Sequence, residues 1–136
     1  MPAADTFFDT NVLLYLLSED AAKADRAEEC IGNGGVISVQ VLNEFAAVAS
    51  RKLGMSWGEI REVLTPIRAL CALEPLTVEA HDLGLQIAQG YGLSFYDAMI
   101  VASALRAGCS TLYSEDLQDG QVIEKRLTIC NPFASA

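Results

Sequence analysis

Thr6-Phe7-Phe8-Asp9-Thr10-Asn11-Val12-Leu13-Leu14-Tyr15-Leu16-Leu17 is the stretch on which the reading of this chain turns. Phe7 and Phe8 suit a short strand, and Val12 to Leu17 is too apolar for a loop. Between them stand three polar residues, Asp9, Thr10 and Asn11. The simplest parse is buried strand, polar tip, buried helix. Asp9 then interrupts an apolar run, where a carboxylate without a partner is costly. Two readings of it stay open: a helix N-cap, supplied by Asp9 or Asn11, or a functional acid held at a strand tip.

Working outward, strands and helices alternate. Val36-Ile37-Ser38 reads as a second strand, and a helix follows from about Val39 to Leu53, closed by Gly54. Ser56 and Glu59 form a capping box. They open a helix with Ile60, Val63, Leu64, Ile67 and Cys71 in line and Pro66 as a candidate kink. Leu73 to Leu76 suits a strand edge, and Thr77 to Gln89 a helix. Ser94 to Ala107 is a helix apolar almost all round, hence buried. Thr111-Leu112-Tyr113 and Arg126 to Cys130 supply the last strands, with a polar turn to Gly120 between them. This alternation predicts an α/β sandwich around a parallel sheet in one domain, residues 1–136. Such sheets carry their reactive groups at the carboxyl ends of the strands. Asp9 and Asp116 both fall there.

The chain has 136 residues, 51% of them hydrophobic, and a net charge of −9 from 18 acids and 9 bases. That charge speaks against a generic nucleic-acid binder, which needs a basic face. It is compatible with acids gathered to hold cations. Arg51, Lys52, Arg61 and Arg68 could border a groove, whereas Lys23, Arg26, Lys125 and Arg126 lie elsewhere in sequence. Cys30, Cys71, Cys109 and Cys130 lack C-x-x-C spacing, and only His81 could join them, so zinc is not expected. Met1 to Thr6 has no basic leader, and the longest apolar run is far too short for a membrane span. Reduced core thiols and a cytoplasmic location follow as expectations.

Four acids stand out. Glu44 lies at the edge of the stripe of Val41, Phe45 and Val48, at ~100° per residue; taken alone, it is better explained as an edge glutamate reaching solvent. Asp97 sits in the Ser94-Phe95-Tyr96-Asp97 capping box, yet shares a line with Val101 and Ala104, so its carboxylate should face inward. Asp116 follows the strand Thr111 to Tyr113, where an Asx-turn would also suit it. Taken together, converging carboxylates repel unless cations neutralise them. Oxygen-only ligands select hard ions such as Mg²⁺ or Mn²⁺, and a metal-bound water can attack a phosphodiester.

The motifs resemble those of the PIN-domain family. Phe7-Phe8-Asp9-Thr10-Asn11-Val12-Leu13 looks like its opening motif, Leu42-Asn43-Glu44-Phe45 its second, Ser94-Phe95-Tyr96-Asp97-Ala98 its third, and Tyr113-Ser114-Glu115-Asp116-Leu117 with Gly120 its fourth. Asn131-Pro132-Phe133 is similar to the chain end of VapC-type toxins. Each motif alone is weak; four in order over essentially the whole chain is fairly specific. The resemblance implies a three-layer sandwich with a mainly parallel five-stranded sheet, and an Mg²⁺- or Mn²⁺-dependent endoribonuclease. It implies Asp9 and Asp97 as main metal ligands, with Glu44 and Asp116 completing the site. Asp119 would be a helper whose equivalent varies in the family. Thr10, Asn11 and Ser114 would orient carboxylates or phosphate. It also implies a homodimer and a small antitoxin protein. Two rival readings are a non-cutting PIN-like binding module and a haloacid-dehalogenase-type phosphatase. The phosphatase wants a second aspartate where this chain has Asn11.

Two expectations concern partners. The stripe Ile60, Val63, Leu64, Ile67 and Cys71, with Val41, Phe45 and Val48, could form a helical clasp partly covered by a second copy or an antitoxin helix; ordinary core packing would use the same stripe. An inhibitor facing a cluster of carboxylates is best served by an arginine, whose fork binds two of them.

Overall fold

The computed structural model describes residues 5–134; the reading of the first four residues lies outside that range. The elements run β1 (Thr6–Phe8), α1 (Thr10–Leu14), a 3₁₀ turn (Tyr15–Leu17), α2 (Ala21–Gly32), β2 (Gly35–Ser38), α3 (Val39–Leu53), α4 (Trp57–Leu70) and β3 (Cys71–Glu74). Then follow α5 (Val78–Tyr91), α6 (Phe95–Arg106), β4 (Thr111–Tyr113), β5 (Val122–Ile123) and β6 (Leu127–Cys130).

The sheet order is β3-β2-β1-β4-β6-β5, parallel except for β5 against β6. From β1 the chain steps outward twice, to β2 and β3, then returns through α5 and α6 to β4 on the other side of β1. The helices of the outward crossovers, α1 to α4, pack among themselves, and α5 packs on α6; since parallel crossovers are right-handed, the outward and return connections cover opposite faces, giving three layers. The reversal opens a crevice between the carboxyl ends of β1 and β4, where α/β sheets place ligands.

Local chemistry explains the junctions. Ser38, fully buried, ends β2 and caps α3 by accepting from the Val41 amide. Gly54 closes α3 in the left-handed conformation, with φ 64°. Both halves of the Ser56–Glu59 capping box are formed. A Cβ on Gly35 would lie 2.6 Å from the Phe8 ring and 2.7 Å from the Thr6 carbonyl oxygen, so β2 packs on β1 only with glycine there. Phe7, Phe8, Leu13, Phe45, Ile100, Leu112 and Ile129 anchor the core.

Three expectations change. The sheet has six strands, not five. The extra strand, Val122–Ile123, falls between the polar turn ending at Gly120 and the strand expected from Arg126. It pairs back on β6 through Glu124 and Lys125, both at positive φ, with the Arg126 amide donating to the Ile123 carbonyl. A turn of that kind usually advertises itself by Asn or Gly, and Glu-Lys does not. Cys71 is the first residue of β3 rather than the end of the helical stripe, which shifts that strand from residues 73–76 to Cys71–Glu74. The stripe itself is mostly core: Ile60, Ile67, Val41 and Phe45 are buried, with Val63 and Leu64 packed against them. The large apolar residues exposed on α3 and α4 are Leu53, Trp57 and Leu70. Among the described residues no helix is long and apolar enough to cross a membrane.

Candidate active site

Asp9 leaves β1 at the crevice and is held from three directions. Its Oδ1 accepts from the Thr10 amide at 2.7 Å. Its Oδ2 accepts from the Ser114 hydroxyl at 2.8 Å and the Asn11 amide group at 3.3 Å. Asp9 is also the N-cap residue of α1, so both readings of it hold in one side chain. Buried, with Asp116 and Glu44 nearby, its carboxyl is pushed up to about 6. Burial is the main cause; the Ser114 and Thr10 bonds pull the other way, and the two acids add to the rise.

Ser114, fully buried after β4, organises the other wall. Besides donating to Asp9, its Oγ accepts from the amides of Asp116 and Leu117 at 3.2 and 3.3 Å. Asn11 closes the circuit. Its Nδ2 donates to Asp116 Oδ2 at 3.2 Å as well as to Asp9, and its Oδ1 accepts from the Glu115 amide. One amide side chain thereby joins carboxylates 107 positions apart in sequence. Thr10 takes the opposite direction: its hydroxyl donates to Glu44 Oε1 at 2.6 Å, tying α1 to α3.

Asp97, half-buried in the first turn of α6, makes no such bond through its carboxylate among the described residues; Ser94 caps the helix by accepting from its amide. Asp9, Glu44, Asp97 and Asp116 all line one cleft of about 360 Å³, with Thr10, Asn11 and Arg51. Asp119 stands apart from this cleft: its Oδ1 accepts from the Asn131 amide at 2.9 Å, bracing the end of β6.

Three contributors were not singled out by sequence reading. Gln40, buried one turn before Glu44, donates to Glu44 Oε2 at 3.3 Å and to the Tyr96 carbonyl at 3.1 Å. It couples the acid on α3 to the helix bearing Asp97, and its i−4 spacing from Glu44 was the available signal. Tyr15 and Lys23 hold Glu115: the Tyr15 hydroxyl donates to it, and Lys23 pairs with it at 3.3 Å. Glu115 is thus drawn outward from the cleft that its neighbour Asp116 lines, and nothing local in the sequence links these three.

The donors are all oxygen, so the cleft suits a hard divalent cation. Among the described residues no three acids close into a ready-made cage. The acids share a cleft but stand open, the manner in which Mg²⁺ is held by one or two carboxylates and keeps its waters.

The PIN-domain family model matches residues 6–119, which include all four acids of the cleft. The chain belongs to the PIN-domain family. That assignment removes the phosphatase reading. The PIN fold recurs in solved structures of low identity. A toxin–antitoxin complex from Klebsiella pneumoniae superposes with TM-score 0.71 at 18% identity, covering 94% of this chain and 98% of that one. Mycobacterium tuberculosis VapC20, a sarcin–ricin loop cleaving toxin, gives 0.66 at 20%, covering 82% and 89%. VapBC2 from Rickettsia felis, bound to a DNA fragment from its promoter, gives 0.65 at 16%, covering 93% and 97%. No curated protein matches the chain in sequence.

Proposed function

We propose that this PIN domain is a divalent-metal-dependent endoribonuclease and the toxin of a toxin–antitoxin pair, acting in the cytoplasm. The observation that carries the reading is the gathering of Asp9, Glu44, Asp97 and Asp116, from four separate motifs, along one cleft at the sheet's switch point. Asp9 and Asp97, with Glu44 and Asp116, would hold Mg²⁺ or Mn²⁺. When bound, such an ion neutralises phosphate charge and makes a bound water acidic enough to attack. The chain's own groups do the positioning. Asn11 and Ser114 keep Asp9 and Asp116 together against their repulsion, and Thr10 and Gln40 aim Glu44. With its pKa raised to about 6, Asp9 takes up a proton at higher pH than an ordinary aspartate does, so metal and proton compete for it in mildly acidic solution.

Two neighbours in structure are toxin–antitoxin assemblies, which supports a small antitoxin as partner. Such an inhibitor would insert an arginine among Asp9, Asp97 and Asp116. Added Mn²⁺ at constant ionic strength should then weaken the complex by linkage, and an affinity indifferent to Mn²⁺ would rule out the arginine plug. The catalytic reading is tested by incubating the protein with a mixed RNA pool in Mg²⁺, Mn²⁺ or EDTA. Cleavage should require metal and vanish in Asp97→Asn with the fold intact. Full activity in that variant would overturn the site assignment.

A further inference from the structure

A chain of net charge −9 cannot gather RNA by broad electrostatic attraction, so whatever strand enters the cleft must be held by other means. Two features beside the acids supply them. Arg51, exposed on α3 two turns after Glu44, lines the cleft and has no acid partner among the described residues. On the other side, the cleft runs into a second groove of about 470 Å³, with Glu44, Ala47 and Tyr96 lining both. That groove is mostly apolar and aromatic. Phe95 and Tyr96 stand at its edge, 37% and 67% exposed, with rings in edge-to-face contact at 5.7 Å; Phe95 also meets His81 at 5.6 Å. Leu76 and Met99 are among its other lining residues, and Gln40, Asn43 and Thr77 add polar groups.

Resting on the nuclease reading above, the geometry points to this groove as a subsite for an unpaired nucleobase flanking the cut, with Arg51 on a neighbouring phosphate. Stacking on an aromatic face is open to any base once it is out of a helix, and contributes affinity that salt does not screen. A base inside a duplex offers no face to Tyr96, so the site selects single-stranded or looped RNA. Asn43 and His81 line the groove and would supply polar groups to base edges, which would make it the source of sequence preference. One cation and one stacking platform together explain how an acidic protein takes a polyanion. The acids repel phosphate until metal is bound, Arg51 contributes a single counter-charge, and the remaining affinity is apolar.

The test uses the full chain in Mn²⁺ with mixed-sequence RNA oligonucleotides that carry cleavage-resistant linkages and 2-aminopurine, whose fluorescence reports stacking. Binding to the wild type should quench the probe. Tyr96→Ala and Phe95→Ala should each weaken binding roughly 5- to 100-fold and restore fluorescence, while Tyr96→Phe, which keeps the ring, should match the wild type. Arg51→Gln should lower the slope of log affinity against log salt by about 0.7, one phosphate contact on a single strand. The same RNA annealed to its complement should bind far less well. Unchanged quenching and affinity in Tyr96→Ala would overturn the proposal, as would equal affinity for duplex. So would a fall in sedimentation mass of Phe95→Ala and Tyr96→Ala with base binding untouched, since the groove would then be an interface between two copies. Cleavage of the RNA pool by the wild type reads the nuclease assignment separately. Stacking without cleavage in any metal sinks that assignment alone, and unimpaired cleavage by both alanine variants sinks this one alone.

Discussion

Asp9→Asn should stabilise the metal-free protein at neutral pH and lose that advantage in acid. Asp9 is held at a pKa of about 6, against 3.8 for an unhindered aspartate. A folded-state value above the unfolded one means the wild type is favoured most below the unfolded value. It loses that contribution as pH rises through the folded value. A rise of roughly two pH units is worth ~3 kcal/mol at 1.36 kcal/mol each. The asparagine carries no charge, so it escapes this loss. It does not escape entirely, because its NH₂ would face the Ser114 hydroxyl and the Asn11 amide where Oδ2 now accepts from both. A mismatch of that kind costs about 1–2 kcal/mol. The net expectation is a gain of ~1–2 kcal/mol at pH 7.5, reversed to a loss of ~1–2 kcal/mol near pH 4. Chemical denaturation of both proteins in EDTA across that range measures the difference, in which the other acids cancel. Mn²⁺ added at pH 7.5 should raise the midpoint of the wild type and leave the variant almost unmoved. A difference between the two proteins that stays flat with pH would refute the argument that this carboxylate is held charged at a cost, and with it the physical case for a cation at Asp9.

Ser114→Ala removes the hydroxyl that lowers the pKa of Asp9 and receives two loop amides; metal affinity should drop roughly 10- to 100-fold, with its acid limb moved to higher pH because the proton competes harder. Gln40→Leu should cut cleavage at saturating RNA about tenfold, since it frees Glu44 from its tie to the Tyr96 carbonyl; a normal rate would show that Glu44 needs no aiming. Gly35→Ala forces a methyl against the Phe8 ring and the Thr6 backbone, and should cost about 2–3 kcal/mol in denaturant unfolding; a neutral effect would mean that β1 and β2 separate more easily than their packing indicates.

The sequence by itself determined which acids come to line the cleft and most of the scaffold that carries them. Asp9 was legible because a carboxylate inside an apolar strand–helix junction is costly unless it is used. Asp97 was legible because its helical line to Val101 and Ala104 turns it inward, whatever part Ser94 plays as the cap. The helix Val39–Leu53 was readable to the residue, since its apolar spacing and Gly54 are local signals. What depends on contacts between distant segments was decided only by the tertiary structure. Asn11 linking Asp9 to Asp116, Thr10 reaching Glu44, and Gln40 bridging to Tyr96 each join separate elements, and no periodicity within one element encodes them. The strand Val122–Ile123 belongs to the same class, because two residues have no pattern of their own and become a strand only when β6 offers its edge. So does the open spacing of the acids. Charge and spacing point to their gathering, but how closely is settled by distant contacts, Asn11 tying Asp9 to Asp116 and Thr10 and Gln40 holding Glu44.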